Sequence, residues 1–272
     1  MSEERPAELV LDVRPTEGFQ RLHRPDSVNI PLEELARRIH ELPARDVPLT
    51  VYDADAGRAR WARSRLQARK RIVKEVIHGD AWLETARTET GPSLRHLWQP
   101  HSLLVEAVEL AGETWSSLAD RRALDVACGT GRDAVFLAKA GFQVDAWDVL
   151  PDALERCADL AERNGVTVST LCRNVETAPT ITPGSWDMVC CFNFLHRPLV
   201  PILAGAVKRG GLIVYETFVH PHRERFGKPS REAHELRLGE LRSWFDGWQV
   251  LISREGETGP RRIAASLVAS KP

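Results

Sequence analysis

Residues 124–132 read Leu-Asp-Val-Ala-Cys-Gly-Thr-Gly-Arg, an apolar run that breaks into a Gly-x-Gly turn and continues as a helical pattern. Gly129 and Gly131 let the backbone turn tightly and come close to a bound group. The helix behind them offers unpaired N–H groups and the positive end of its dipole. A polar or anionic part of a cofactor belongs at such a turn. Gly129, Gly131 and Ala134 also satisfy the Gly-x-Gly-x-x-Gly/Ala pattern of dinucleotide enzymes, so the loop alone does not choose the cofactor. A second apolar run, Phe142–Asp148, ends in a carboxylate, which can accept hydrogen bonds from both hydroxyls of a ribose. The two features agree on a cofactor that contains adenosine.

Outward from the loop, strand and helix alternate. Helices are predicted over Val135–Ala140, Asp152–Arg163 and Leu199–Val207, and strands over Ala123–Ala127, Val166–Cys172, Trp186–Phe192 and Leu212–Phe218. This rhythm demands a mostly parallel sheet covered by helices, an α/β doubly wound fold. Two final apolar stretches, Trp248–Ile252 and Ile263–Ala269, are joined by a Gly/Pro-rich turn and read as a hairpin, so the last strand should run antiparallel. Upstream, Leu9–Val13 and Pro48–Tyr52 flank a helical pattern at Leu32, Leu35, Ala36 and Ile39, a second and smaller βαβ arrangement. The polar stretch 84–93 reads as a linker, which divides the chain into residues 1–90 and 91–272.

The stretch Asp125-Val-Ala-Cys-Gly-Thr-Gly-Arg132 resembles the first motif of S-adenosylmethionine-dependent methyltransferases. Val144-Asp-Ala-Trp-Asp148, Trp186-Asp-Met-Val189, Phe192-Asn-Phe-Leu-His-Arg-Pro198, Gly210–Phe218 and Arg225–Ser230 are similar to the tellurite-resistance methyltransferase family. The resemblance implies a seven-stranded Rossmann-like domain with an antiparallel last strand and S-adenosyl-L-methionine as cofactor. Ala127, Cys128, Gly129 and Gly131 would then hold the methionine part, with Asp125 nearby and Arg132 on its carboxylate. Asp148 and Val149 would hold the ribose side. Asn174 and Val175 fall where the family contacts adenine; Asn174 replaces the usual Asp, and its amide oxygen can still accept from the adenine amino group, while a turn-forming role suits it as well.

The sulfonium of that cofactor already carries the activation, so the protein has chiefly to place a nucleophile in line with the methyl group. Phe192 and Asn193, at the carboxyl end of a strand, should border the methyl. His196 and Arg197 follow and could orient an acceptor or attract an anionic one. The segment His220–Lys228 reads as a cationic lid. No third ligand accompanies His220 and His222, so no metal is expected. The implied acceptor is a small molecule, with a thiol or a selenium or tellurium oxyanion leading. A protein that binds the cofactor without turnover is the alternative.

Residues 8–84 resemble a rhodanese domain through Asp12-Val-Arg14, His23–Pro31 and Leu49–Arg58. That family carries its sulfur on a cysteine at the start of the loop after the strand; here Asp53 stands there, and no cysteine precedes Cys128. A carboxylate cannot carry sulfane sulfur, which leaves a binding or structural module. Asp53-Ala-Asp55 also fits the Asp-x-Asp nucleophile of haloacid-dehalogenase-like phosphatases, but the later motifs of that family are missing. The cations from Arg58 to Arg71, with Trp61 among them, read as a solvated helix flank.

Charge and composition narrow the partners. A net charge of −1 gives no electrostatic footprint for nucleic acid or anionic lipid. No window is apolar enough to cross a membrane, and Met1–Pro6 lacks the features of a signal peptide, so a cytoplasmic protein is expected. The five cysteines form no Cys-x-x-Cys pair and read as reduced core thiols.

Overall fold

The computed structural model describes residues 9–85, 87–93, 95–259 and 261–272. The leader reading of Met1–Pro6 and part of the linker and of the hairpin turn lie outside them. The chain divides into two compact units, residues 1–99 and 100–272.

In the first unit, β1 (Val10–Asp12), β2 (Ser27–Asn29), β3 (Leu49–Asp53) and β4 (Val73–His78) form a parallel sheet in the order β2-β1-β3-β4. Helices α1 (Thr16–Arg21), α2 (Ala56–Ala68) and α3 (Ala81–Glu84) accompany it. All of β3 is buried, as a central parallel strand must be. The Asp55 side chain caps α2 by accepting the Arg58 N–H at 2.7 Å. Ala59, Ala62 and Leu66 turn one face of α2 inward, while Arg60, Arg63 and Arg65 are exposed; Arg65 lies 3.8 Å above the Trp61 ring. The middle of the basic run is therefore a solvated flank, while Arg58 and Arg71 at its ends are bound within the domain. The helix expected over Leu32–Ile39 is instead a series of tight turns ending in the 3-10 turn Ile39–Glu41. Its N–H groups reach carbonyls three residues back, from Glu34 to Pro31 and from Arg37 to Glu34, and still bury Leu32 and Leu35.

The second unit opens with α4 (Ser102–Thr114). It continues through β5 (Arg122–Val126), α5 (Arg132–Lys139), β6 (Gln143–Asp148), α6 (Pro151–Arg163), β7 (Val168–Cys172), β8 (Trp186–Phe192), α7 (Val200–Ala206) and β9 (Val207–Phe218). After α8 (His222–Phe226) and α9 (Glu240–Ser243), β10 (Gln249–Gly259) and β11 (Arg262–Ser270) close the chain. The seven strands lie in the order β10-β11-β9-β8-β5-β6-β7, and β11 runs antiparallel to both of its neighbours. The fold is the expected Rossmann-like one with its reversed last strand.

Alternation along β8 feeds two cores. Trp186, Val189 and Cys191 face one side, with Tyr215 and Phe245. Met188, Cys190 and Phe192 face the other, with Leu103, Leu104 and Ala107 of α4. Burying β8 on both faces explains its continuous apolar reading. Cys190 and Cys191 are fully buried, but Cys172, expected in the core, is exposed on the edge strand β7.

Candidate functional site

The glycine loop lies at the carboxyl end of β5. Its two glycines serve different ends. A Cβ on Gly129 would meet open space, whereas one on Gly131 would lie 2.1 Å from Cys157 Sγ on α6. Gly131 (φ +78°) thus permits close helix packing, and Gly129 (φ +55°) faces the ligand side. Ala127, with φ 58°, holds a left-handed conformation that non-glycine residues rarely adopt. Beside the loop, the neighbouring Cys157 thiol and burial push the Cys128 thiol well up.

A cavity of about 240 Å³ opens next to this loop, lined among others by Ala127, Asp148, Val149, Asn174, Val175 and Phe194. Five of these six were expected in the cofactor site; Phe194 was not singled out. Asp148 ends β6, where its Oδ2 accepts the Gly129 N–H at 2.8 Å and its Oδ1 the Leu150 N–H at 2.9 Å. Val149 is 52% exposed, an apolar side chain left open beside the cavity. Asn174 Oδ1 accepts the Glu176 N–H at 2.9 Å, so the residue shapes the turn it stands in. A wider hollow of about 660 Å³, lined by Arg122, Gln143 and Asp145, lies at the opposite edge of the sheet, where these strands begin. Open α/β sheets bind their ligands at the carboxyl edge, which favours the smaller cavity.

Asp125, beneath the loop, is fully buried, and its Oδ2 finds no hydrogen-bond partner. Burial, then the nearby Asp133 and Cys157, push its carboxyl well above the usual carboxylate range. An unpartnered buried carboxyl oxygen beneath the glycine loop suits a polar group of a bound amino acid moiety. Asp148 and the apolar Val149 and Val175 suit a nucleoside. The residues present therefore fit S-adenosylmethionine. Arg132, in the first turn of α5, makes no ion pair among the described residues.

At the carboxyl end of β8, Val126 pairs with Cys191, so Phe192 and Asn193 leave the strand beside Ala127 and Cys128. Asn193 has φ 55° and is clamped. Its Nδ2 lies 3.0 Å from His101 Nε2, and its Oδ1 accepts from the Arg262 guanidinium at 2.8 Å. His101 Nδ1 lies 2.8 Å from Asp133 Oδ2, and the imidazole stacks on Phe192 with centroids 4.3 Å apart. Arg262 also donates to Glu216 at 2.7 Å, and Ser266 Oγ donates to the other oxygen of that carboxylate at 2.6 Å. Sequence reasoning singled out Phe192 and Asn193 but not His101, Asp133, Glu216 and Arg262, which the fold brings to them. These come from the residue before α4 and from α5, β9 and β11, and nothing in their local spacing joins them.

Arg197 is committed elsewhere. It donates to Glu240 at 2.6 and 3.0 Å, to the Ala233 carbonyl at 2.6 Å and to the Glu235 carbonyl at 3.0 Å. It ties the segment ahead of α7 to the region of α9, and this bond holds the Glu240 carboxyl below the usual range. His196 is half-buried and immediately precedes this tie. In the segment read as a lid, His222 is buried and stacks on Phe218, and its Nδ1 accepts the Ile263 N–H at 3.0 Å. It is a packing residue. Burial, helped by the nearby Arg262, pushes its imidazole down.

In the first unit, Asp53 Oδ1 accepts the Asp55 N–H at 2.9 Å and Oδ2 accepts Arg58 Nε at 2.9 Å. Arg58 reaches on to Glu33 at 2.6 Å. The loop after β3 is closed by its own side chains.

Comparison with known proteins agrees with this fold. Residues 123–209 match the family model of a methyltransferase domain, and residues 1–80 that of a rhodanese-like domain. An uncharacterized protein of Schizosaccharomyces pombe, UNK4.09, is 22% identical over 85% of this chain and 82% of its own. The ubiquinone biosynthesis O-methyltransferase of Bordetella bronchiseptica is 34% identical over 39% of this chain. The match spans 46% of that enzyme, less than half its length. Among solved structures, TehB from Haemophilus influenzae superposes with a TM-score of 0.50 at 18% identity, covering 62% of each chain. The N-methyltransferase NodS from Bradyrhizobium japonicum also gives 0.50, at 13% identity, over 62% of this chain and 94% of its own. Among the described residues no helix is long and apolar enough to cross a membrane. The chain thus carries, over residues 123–209, a match to a methyltransferase domain behind a match, over residues 1–80, to a rhodanese-like domain.

Proposed function

We propose that the protein methylates a small molecule in the cytoplasm, with the nucleoside of S-adenosylmethionine in the 240 Å³ cavity and the acceptor beside Asn193. The observation that carries this reading is the meeting of Ala127, Asp148, Val149, Asn174 and Val175 around one cavity beside the glycine loop. Asp125, Ala127, Cys128, Gly129, Gly131 and Arg132 form the methionine end, and Asp148, Val149, Asn174 and Val175 the nucleoside end. When bound, the cofactor supplies a methyl group on a positively charged sulfur. The chain's part is to position the acceptor and exclude water, with Phe192 as the apolar wall and Asn193 as the polar contact. The acceptor is a small molecule with a nucleophilic thiol, hydroxyl or chalcogen oxyanion. The TehB-like fold supports the oxyanion class and the ubiquinone O-methyltransferase relatives the hydroxyl class. The rhodanese-like domain, with Asp53 engaged by Arg58, serves binding or stability and not sulfur transfer.

Calorimetry with S-adenosylmethionine and with NADH tests the cofactor reading. Binding of the first alone is expected, and binding of NADH alone would reverse it. Transfer of labelled methyl to a panel of thiols, catechols, selenite and tellurite then identifies the acceptor class.

A further inference from the structure

We propose that His101 takes the acceptor's proton during methyl transfer, so that the acceptor is a hydroxyl or thiol that arrives protonated and not a fully ionised oxyanion. This rests on the methyltransferase reading and narrows its acceptor.

The proton map follows from the partners. Arg262 can only donate, so the Asn193 amide must turn its oxygen toward Arg262 and its NH2 toward His101. His101 Nε2 therefore accepts. The remaining imidazole proton sits on Nδ1, facing Asp133 Oδ2 at 2.8 Å. The His101 backbone N–H donates to the other oxygen of the same carboxylate at 2.8 Å, which fixes Asp133 from both sides. The imidazole is thus neutral, held flat against Phe192, and presents a basic nitrogen, with a carboxylate behind it ready to stabilise the imidazolium. The position is equally specific. Phe192 and Asn193 lie beside the glycine loop through the Val126–Cys191 pairing, and Asp133 stands in the first turn of the helix behind that loop. The basic nitrogen is therefore at the methionine end of the cofactor site. Asn193 is exposed, and the NH2 it turns to His101 carries a second N–H that can orient the acceptor's heteroatom.

The step balances. The acceptor's O–H or S–H takes the Nε2 lone pair, now shared with Asn193. A heteroatom lone pair forms the new bond to the methyl carbon, and the carbon–sulfur pair stays on sulfur. The heteroatom's proton passes to Nε2, and the imidazolium later releases it to water. The charged groups facing the imidazole are Asp133 from α5 and, across Asn193, Arg262 from β11 with its partner Glu216 from β9.

The test uses the full chain with labelled S-adenosylmethionine and three probes: catechol, 2-mercaptoethanol and sodium selenite. With His101→Gln, kcat/KM on catechol or 2-mercaptoethanol should fall on the order of 10²–10⁴-fold near neutral pH. The loss should shrink as rising pH ionises the probe in solution. Cofactor affinity by calorimetry should stay within about twofold. Nitrogen NMR of the wild-type imidazole, which needs no turnover, should show the proton on Nδ1, and Asp133→Asn should move that resonance. A proton found on Nε2 overturns the proposal. So does a His101→Gln enzyme within about threefold of wild type, or one impaired by the same factor at every pH. Methylation of selenite alone, equally well by the variant, overturns it too. Failure of the wild type to bind S-adenosylmethionine would instead overturn the methyltransferase reading itself.

Discussion

Asp148 Oδ2 accepts the Gly129 N–H across 2.8 Å, so the carboxylate that ends β6 is bonded directly to the glycine loop that follows β5. The same side chain turns the chain into α6 through the Leu150 N–H. Asp148 thereby sets the loop as well as offering itself to a ligand, and its removal should be felt in both roles.

Asp148→Ala is expected to weaken S-adenosylmethionine binding by at least roughly tenfold, since hydrogen bonds to a charged group contribute about 1.5–3 kcal/mol each. Calorimetry reads this. An unchanged dissociation constant would show that the ribose lies elsewhere.

Gly131→Ala should destabilise the domain by about 1–3 kcal/mol, because its Cβ would collide with Cys157 Sγ at 2.1 Å. The left-handed φ adds to the cost. Chemical denaturation measures the loss. Adding Cys157→Gly should recover part of it, the part that comes from the collision.

Asp125→Asn separates stability from function. The Asp125 carboxyl is raised by burial, so between the usual carboxylate range and its folded value the native protein holds a proton that the unfolded chain has lost. Stability then falls as pH rises through that window. The amide has no such dependence. Thermal melts should show the variant losing less than wild type between mildly acidic and alkaline pH, while cofactor affinity drops.

Glu240 titrates with the opposite sign. Arg197 lowers its folded value, so its stabilising contribution is present above the usual carboxylate range and is lost as pH falls through the lowered one. Glu240→Gln should flatten the acid limb of the stability profile, at a cost of about 1 kcal/mol near neutrality for a partly exposed pair.

The first domain should form no thiocyanate from thiosulfate and cyanide, because Asp53 stands where a persulfide would have to form. Robust thiocyanate production would refute this. Asp53→Cys then asks whether the loop, once freed from the Asp53–Arg58 bond, can hold a thiolate.

What the sequence disclosed divides along a physical line. The glycine turn, the terminal Asp148 and the strand–helix alternation are local patterns of backbone conformation and period, and each was legible. The polar cluster around Asn193 was not, because His101 precedes the first strand of its domain and meets Asn193 only once α4 packs on the sheet. The ties of Arg197 were hidden for the same reason. A cation after a strand end looks free in sequence, and only the folded chain shows Glu240 and two carbonyls consuming its donors. The turns at Leu32–Arg38 were misjudged because apolar spacing alone does not separate successive tight turns from a helix.

Because β11 is laid against the grain of its neighbours, it delivers its opening residue to the working edge of the sheet. Arg262 can therefore engage Asn193 only after the closing hairpin has folded back onto the parallel core. The Asn193–Arg262 clamp thus depends on the last strand being in register.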